Sequence, residues 1–249
     1  MFLVIKPLYS IKPLTDGQAL ELVKIVDDRQ RNSGDYKSSA FIKETERGKT
    51  PRVYEAVVYR RDLDNKFMIL FLKPNEEAGK GYLKIDKNLW MYDPATGKWD
   101  RRTEREKIAG TNSRRADFDE SRLAEEYTVK YIGNEKLGQF DSYKIDLTVK
   151  KGIDVAYPKI MLWVDAENNN ILKRDEYALS GKLLRTTFYP KWYKKYSESK
   201  KADVWVPQEM RIFDKLEVGN STIILIKEVD LNSLPANIFT KAWLESKSR

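Results

Sequence analysis

The chain has 249 residues, of which 41% are apolar and 34% charged, so it reads as a globular unit with enough apolar material for a sizeable core. No window approaches the roughly 20 apolar residues of a helical membrane span, which argues against an integral membrane protein of that kind. Forty-six basic against 38 acidic residues give a net charge of +8, a balance that favours anionic partners; the charges are interspersed, which fits a solvated basic surface as well as a dedicated patch.

In chain order, the apolar start Met1 to Ile5 is cut by Lys6 and Pro7 before it reaches the roughly 7–15 residue core of a secretory signal. Next, Thr15 with Gln18 forms a capping-box pair, and Ala19, Leu22, Val23 and Val26 follow at helical spacing. These predict an amphipathic helix from Asp16 to Arg31, ended by Asn32, Ser33 and Gly34.

Segments rich in β-branched and aromatic residues then run at Tyr36 to Glu46, Arg52 to Arg61, Lys66 to Lys73, Tyr82 to Ile85 and Leu89 to Tyr92. Asp62-Leu63-Asp64-Asn65 and Asp93-Pro94-Ala95-Thr96-Gly97 read as hairpin connections, which predicts adjacent antiparallel strands. The polar interval Ile108 to Leu123 reads as a long loop with a short helix over Asp119 to Glu126. A second series follows at Glu126 to Ile132, Tyr143 to Val149, Ile160 to Val164, Ile171 to Ala178, Leu183 to Phe188, Trp205 to Phe213 and Thr222 to Glu228. No composition shift marks a boundary, so residues 1–249 are read as one domain.

Several of these strands are apolar on both faces, the clearest being Phe67, Met68, Ile69, Leu70, Phe71 and Leu72. A half-solvated strand alternates apolar and polar residues, so something apolar must cover both sides here. The cover could be a second layer of the protein or a bound apolar ligand. On the second reading a concave sheet lines a cavity for an acyl chain, each buried methylene contributing ~0.8 kcal/mol.

The chemistry is narrowed by absence. With no histidine and no cysteine, imidazole-based catalysis, thiol catalysis, the usual zinc sites and disulfides are excluded. Asp165, Glu167, Asn169 and Glu176 match an EF-hand frame in part, but Asn170 stands where glycine should turn the loop and the flanks read as strands. The plainer reading, an Asn-rich hairpin turn, is preferred, and no metal or cofactor is expected. Gly79-Lys80-Gly81 lacks the rest of a phosphate loop and reads as a turn.

The basic-aromatic stretch Lys191, Trp192, Tyr193, Lys194 and Lys195 reads as a loop able to meet a membrane surface, since rings favour the interface and lysines attract anionic headgroups. Nucleic-acid binding could use the same residues by stacking and phosphate neutralisation, and a solvated loop is the plainest reading of all.

A set of colinear landmarks resembles the LolA-like outer-membrane lipoprotein-sorting proteins of bacteria. They are Gly81-Tyr82-Leu83, Leu89-Trp90-Met91-Tyr92, Gly110-Thr111, Asp117-Phe118 with Leu123, Lys159 to Asp165, Ser180-Gly181-Lys182-Leu183, Val206-Pro207, Phe239-Thr240 and Leu244-Glu245. The resemblance implies an α+β, mainly antiparallel fold: an incomplete, half-open β-barrel with helices covering the mouth and cavity. It also implies a periplasmic carrier of lipids or lipoproteins, with or without a lipid anchor, whose signal or anchor segment is absent from this chain. The partners would be acyl chains of lipoproteins or phospholipids, with peripheral membrane contact and no nucleic acid. Phe67, Ile69, Phe71, Trp90, Met161 and Trp163 are the expected lipid-contacting residues, on one choice of inward strand face. The alternative is a lipid-acting hydrolase using carboxylates and an oxygen-ligated metal.

Overall fold

The computed structural model describes residues 11–31, 34–85, 88–103, 106–109, 111–113 and 121–248. Helix α1 spans Asp16–Arg31, as its periodicity predicts, and its capping box is formed: the Thr15 amide donates to Gln18 Oε1 at 2.9 Å and the Gln18 amide to Thr15 Oγ1 at 3.2 Å. Six strands follow: β1 Asp35–Thr45, β2 Arg52–Arg61, β3 Lys66–Lys73, β4 Gly81–Ile85, β5 Asn88–Asp93 and β6 Lys98–Arg102. After the one-turn helix α2, Leu123–Glu126, come β7 Tyr127–Leu137, β8 Phe140–Val149, β9 Lys159–Asp165, β10 Ile171–Tyr177, β11 Leu183–Ser197, β12 Ala202–Asp214 and β13 Ser221–Asp230. Helix α3, Lys241–Lys247, ends the fold. No helix among the described residues is long and apolar enough to cross a membrane.

All thirteen strands belong to one antiparallel sheet in the order β6-β5-β4-β3-β2-β1-β13-β12-β11-β10-β9-β8-β7. The chain meanders outward from β1 to β6, jumps to the far edge at β7, and meanders back until β13 pairs with β1. The mainly antiparallel fold is as expected, and the sheet is open, with β6 and β7 as its two edges, and is not closed into a barrel. It is nevertheless rolled. Residues of β3 and β11 line one cavity, although five strand spacings, about 24 Å in a flat sheet, separate them.

Of the connection between the edges, the described residues 106–109 and 111–113 lie against the inner face. The Ala109 amide donates to Tyr82 Oη on β4 at 3.0 Å, and Tyr54 Oη on β2 donates to the Ala109 carbonyl at 3.3 Å. Further along, the Asn112 amide donates to Thr222 Oγ1 on β13 at 2.9 Å, and Arg185 Nη1 on β11 donates to the Asn112 carbonyl at 3.2 Å. Arg185 is itself held by a buried ion pair with Glu176, which also takes Arg174 at 2.9 Å. A charge buried in such a pair stays bound because neither partner can be left alone out of water. Of the helix expected over Asp119 to Glu126, Leu123–Glu126 is found; Asp119 and Glu120, like the landmarks Gly110, Asp117 and Phe118, lie outside the described residues.

Both-face apolarity has two physical answers. On β3, Phe67, Ile69 and Phe71 face inward, while Met68 and Leu70 face outward into a second core made with Leu83, Ile238, Phe239 and Leu244. The outer cover is thus the C-terminal segment ending in α3, anchored by a Glu245 Oε1 that accepts from Trp99 Nε1 at 2.6 Å. Packing is close enough that a Cβ on Gly81 would sit 2.7 Å from Leu244 Cδ1. On β9, Ile160, Leu162 and Val164 face inward under Ala19, Leu22, Val23 and Val26 of α1. Asp27 of α1 reaches across to accept from the Leu123 and Ala124 amides, at 3.0 and 2.8 Å, and so caps α2.

Candidate functional site

Since α1 fills only the β7–β10 side of the inner face, the β1–β3 and β12–β13 side keeps a cavity of about 190 Å³. Its floor is apolar and buried: Ile42 on β1, Phe67, Ile69 and Phe71 on β3, Ile108 on the crossing segment and Ile224 on β13. Tyr54 and Tyr82 fix the Phe71 ring by edge-to-face contacts at 5.8 and 6.2 Å. Strand register explains the alignment, because Ile69 lies opposite Val58 and Phe71 opposite Ala56, all on the inward face.

The half-exposed part of the lining mixes apolar Val58, Pro207, Met210 and Ile226 with residues of a different kind: Arg29, Arg60, Tyr189, Trp192 and Trp205. Arg29 donates to Asn170 Oδ1 at 2.9 Å and to the Asn168 carbonyl. Burial lowers its pKa, and the Asp165 charge works in the other direction. Arg60 pairs with Asp62 at 2.8 Å. Trp192 Nε1 donates to the Ile171 carbonyl at 2.9 Å, and its ring stacks on Tyr189 with centroids 5.9 Å apart. Tyr36, also in the wall, is pushed by burial up to about 12 and stays a neutral phenol. Among the described residues the wall holds no Asp, Glu or Lys, so it offers apolar surface, hydroxyls and guanidinium groups and no carboxylate positioned for acid–base chemistry.

Of the residues expected to contact lipid, Phe67, Ile69 and Phe71 stand in the cavity wall. Trp90, Met161 and Trp163 do not. Side chains alternate across a strand, and on β5 and β9 it is Leu89, Ile160, Leu162 and Val164 that turn inward. Trp90 lies on the outer face with Lys241 Nζ 4.0 Å from its ring centre, and Trp163 lies there between Lys173 at 3.9 Å and Lys144 at 5.0 Å. Methylene stems and ammonium groups of lysine can bury such a ring as well as an apolar layer can, which is why the apolar run alone misleads about its face.

Lys191, Trp192, Tyr193, Lys194 and Lys195 are brought together on β11, in a strand and not in the expected loop, because β11 and β12 keep pairing as far as Ser197 opposite Ala202. Lys191, Lys194 and Lys195 are exposed, Tyr193 packs beside Val206, and Trp192 belongs to the cavity wall. Sequence reasoning missed Arg29, Arg60, Tyr189 and Trp205. The alternation Val204-Trp205-Val206 and the turn residues Glu198 to Lys201 were the available signals for a longer hairpin. The EF-hand-like residues are a turn: Asp165 accepts from the Glu167 amide at 3.1 Å and Asn168 Nδ2 at 3.2 Å, Asn169 takes φ 54°, and Glu176 is the buried partner of Arg185.

A family model described as "-like: Uncharacterized protein" matches residues 63–246, most of the chain. No curated protein matches significantly. Among solved structures, a domain from Vibrio parahaemolyticus described as outer membrane lipoprotein-sorting is 18% identical with a TM-score of 0.78, covering 93% of this chain and 100% of that one. A LolA superfamily protein from Nitrosomonas europaea is 21% identical at TM-score 0.72, covering 90% and 98%. A DUF1329 family protein from Desulfovibrio piger is 21% identical at TM-score 0.79, covering 92% and 98%. The chain belongs to the family of the matching model, and its fold is similar to that of these three structures.

Proposed function

We propose that this chain is a carrier of the bacterial envelope that holds the acyl chains of lipoproteins or phospholipids in its inner cavity. The observation that supports this most is the unfilled apolar floor of Ile42, Phe67, Ile69, Phe71 and Ile224 in a fold shared with a domain described as lipoprotein-sorting. An engineered apolar cavity of ~150 Å³ stays dry and takes up benzene, and the present cavity exceeds that. It is smaller than the roughly 300–1,000 Å³ of drug-sized ligand sites, so a whole acyl chain enters by widening it. Binding is by burial of methylenes, and delivery by a difference in affinity between an open and a closed form.

The description of the V. parahaemolyticus relative supports a periplasmic place and an outer-membrane role for this chain too. Exposed Lys191, Lys194 and Lys195 would meet anionic headgroups, with Trp192 and Tyr193 behind them. Native mass spectrometry and organic extraction of the purified protein test the reading. A bound acyl species is expected; a protein that neither carries one nor binds added palmitate, or that hydrolyses phospholipid, refutes it.

A further inference from the structure

Strand pairing sets the distal half of the β11–β12 hairpin apart from the sheet. β10 accompanies β11 only as far as the pair Lys173–Phe188, and β13 accompanies β12 only as far as Leu225–Glu209, whereas β11 and β12 pair with each other on to Ser197–Ala202. Residues 189–208 are therefore a two-stranded arm that pairs with no other strand among the described residues. The arm leaves the sheet where the β11–β12 register shifts, between Phe188 and Lys191 and again between Lys191 and Trp192. Such irregularities bend and twist a strand pair.

The bend carries the arm over the cavity. Tyr189, Trp192, Trp205, Val206 and Pro207, all on the arm, belong to the cavity wall. Val206 is 2% exposed and packs with Tyr36, Val229 and Leu231. At the far end the tip is seated on Gly34, just before β1: a Cβ on Gly34 would lie 2.0 Å from Ser199 Oγ and 3.1 Å from Ser199 Cβ. The opposite character shows on the arm's exposed residues. Lys191, Lys194, Lys195, Lys200 and Lys201 are all exposed, against two acidic residues, Glu198 and Asp203, along the same stretch. Beside Lys194, whose Nζ lies 5.1 Å from the Trp205 ring centre, Tyr196 is 54% exposed.

We propose that this arm is the lid of the cavity, and that docking of its lysines on an anionic bilayer lifts it. The inference rests on the carrier reading and adds to it where and how cargo passes. Lysines are drawn to an anionic surface, and Trp and Tyr settle at the interface. A membrane therefore competes with the cavity rim and the Gly34 seat for the same arm, and favours the open form by its differential affinity for it.

The test uses the whole chain preloaded with anthroyloxy-labelled palmitate, with release followed by stopped flow into phosphatidylcholine vesicles and into equal mixtures of phosphatidylglycerol and phosphatidylcholine. Wild type is expected to release severalfold faster into the anionic vesicles. Gly34→Ala, whose Cβ still meets Ser199 Cβ at 3.1 Å once the hydroxyl has turned aside, is expected to loosen the tip and release faster into both, and Gly34→Ala/Ser199→Gly to return toward wild type. The double variant keeps the strain of a side chain at φ +70° and removes only the clash with the arm. Should Gly34→Ala fail to fold, Ser199→Leu bulks the same contact from the arm. Equal release into the two vesicle types, or equal rates for Gly34→Ala and the double variant, overturns the lid; failure of every form to bind the probe overturns the carrier reading instead.

Discussion

Ala40 sits midway along β1, 2% exposed, with its methyl in the wall of the cavity. Replacing it with leucine adds three carbons to space that the fold leaves unfilled. If a bound tail occupies that space, the variant displaces about three of its methylenes at ~0.8 kcal/mol each. The loss is about 2.4 kcal/mol, or roughly 60-fold in Kd. Stability should change little, because the added carbons enter a void instead of a packed layer. Gly81→Ala gives the contrast: its new methyl would lie 2.7 Å and 2.9 Å from the two Leu244 methyls and 3.0 Å from the Ile69 carbonyl oxygen, so overpacking should destabilise by about 1–3 kcal/mol. Titration with labelled palmitate and urea unfolding of both variants decide the matter. An Ala40→Leu protein that binds within twofold of wild type, or that loses as much stability as Gly81→Ala, refutes the assignment of this void as the binding site.

Further outcomes follow from the same geometry. Leu244→Ala, at a site that is 0% exposed beneath β3 and β4, should cost about 2–5 kcal/mol in urea unfolding; a loss below 1 kcal/mol would mean that α3 is not the outer cover. Glu176→Gln breaks the buried pairs with Arg174 and Arg185 and should cost about 3–5 kcal/mol, with a neutral result showing that the crossing segment does not depend on them. Lys191→Gln/Lys194→Gln/Lys195→Gln should weaken binding to phosphatidylglycerol vesicles by roughly 100-fold, at ~1 kcal/mol per lysine, and unchanged binding would place the membrane contact elsewhere. Burial pulls the Asp35 carboxyl upward, but the hydrogen bonds from Arg61 and Leu234 and the Arg61 charge outweigh it and hold the group below its usual 3.8. A carboxylate lowered in this way contributes stability that is present above the unfolded pKa and lost as pH falls through the folded value. Urea midpoints of wild type and Asp35→Asn should therefore be furthest apart near neutral pH and converge in acid below about pH 3.8; curves that stay parallel contradict the pairing.

Local signals carried the elements where they were strong. The Thr15/Gln18 box and the spacing of Ala19, Leu22, Val23 and Val26 define α1 from end to end, and the β-branched and aromatic content of β1 and β2 marks both as strands, with burial alternating along β1. What local signals do not decide is the inward face of a strand that is apolar on both. Phe67, Ile69 and Phe71 point inward, but the same logic on β9 selects Met161 and Trp163, since nothing local says that Lys144 and Lys173 cover the Trp163 ring. Pairing partners of β11 lie on neighbouring strands, so the reach of the arm to Ser197 was hidden by a lysine-rich composition that mimics a loop. The short strand β6, KWDRR, has a single apolar side chain, and α3 has no long apolar stripe; both exist because tertiary contacts, chiefly Trp99 with Glu245 and Lys241, hold them.

The most direct test is a crystal structure of the chain with one equivalent of palmitate. The tail is expected between Ile42, Phe67, Ile69, Phe71 and Ile224, with the arm of residues 189–208 over it. A filled or empty interior with the fatty acid elsewhere on the molecule would contradict it.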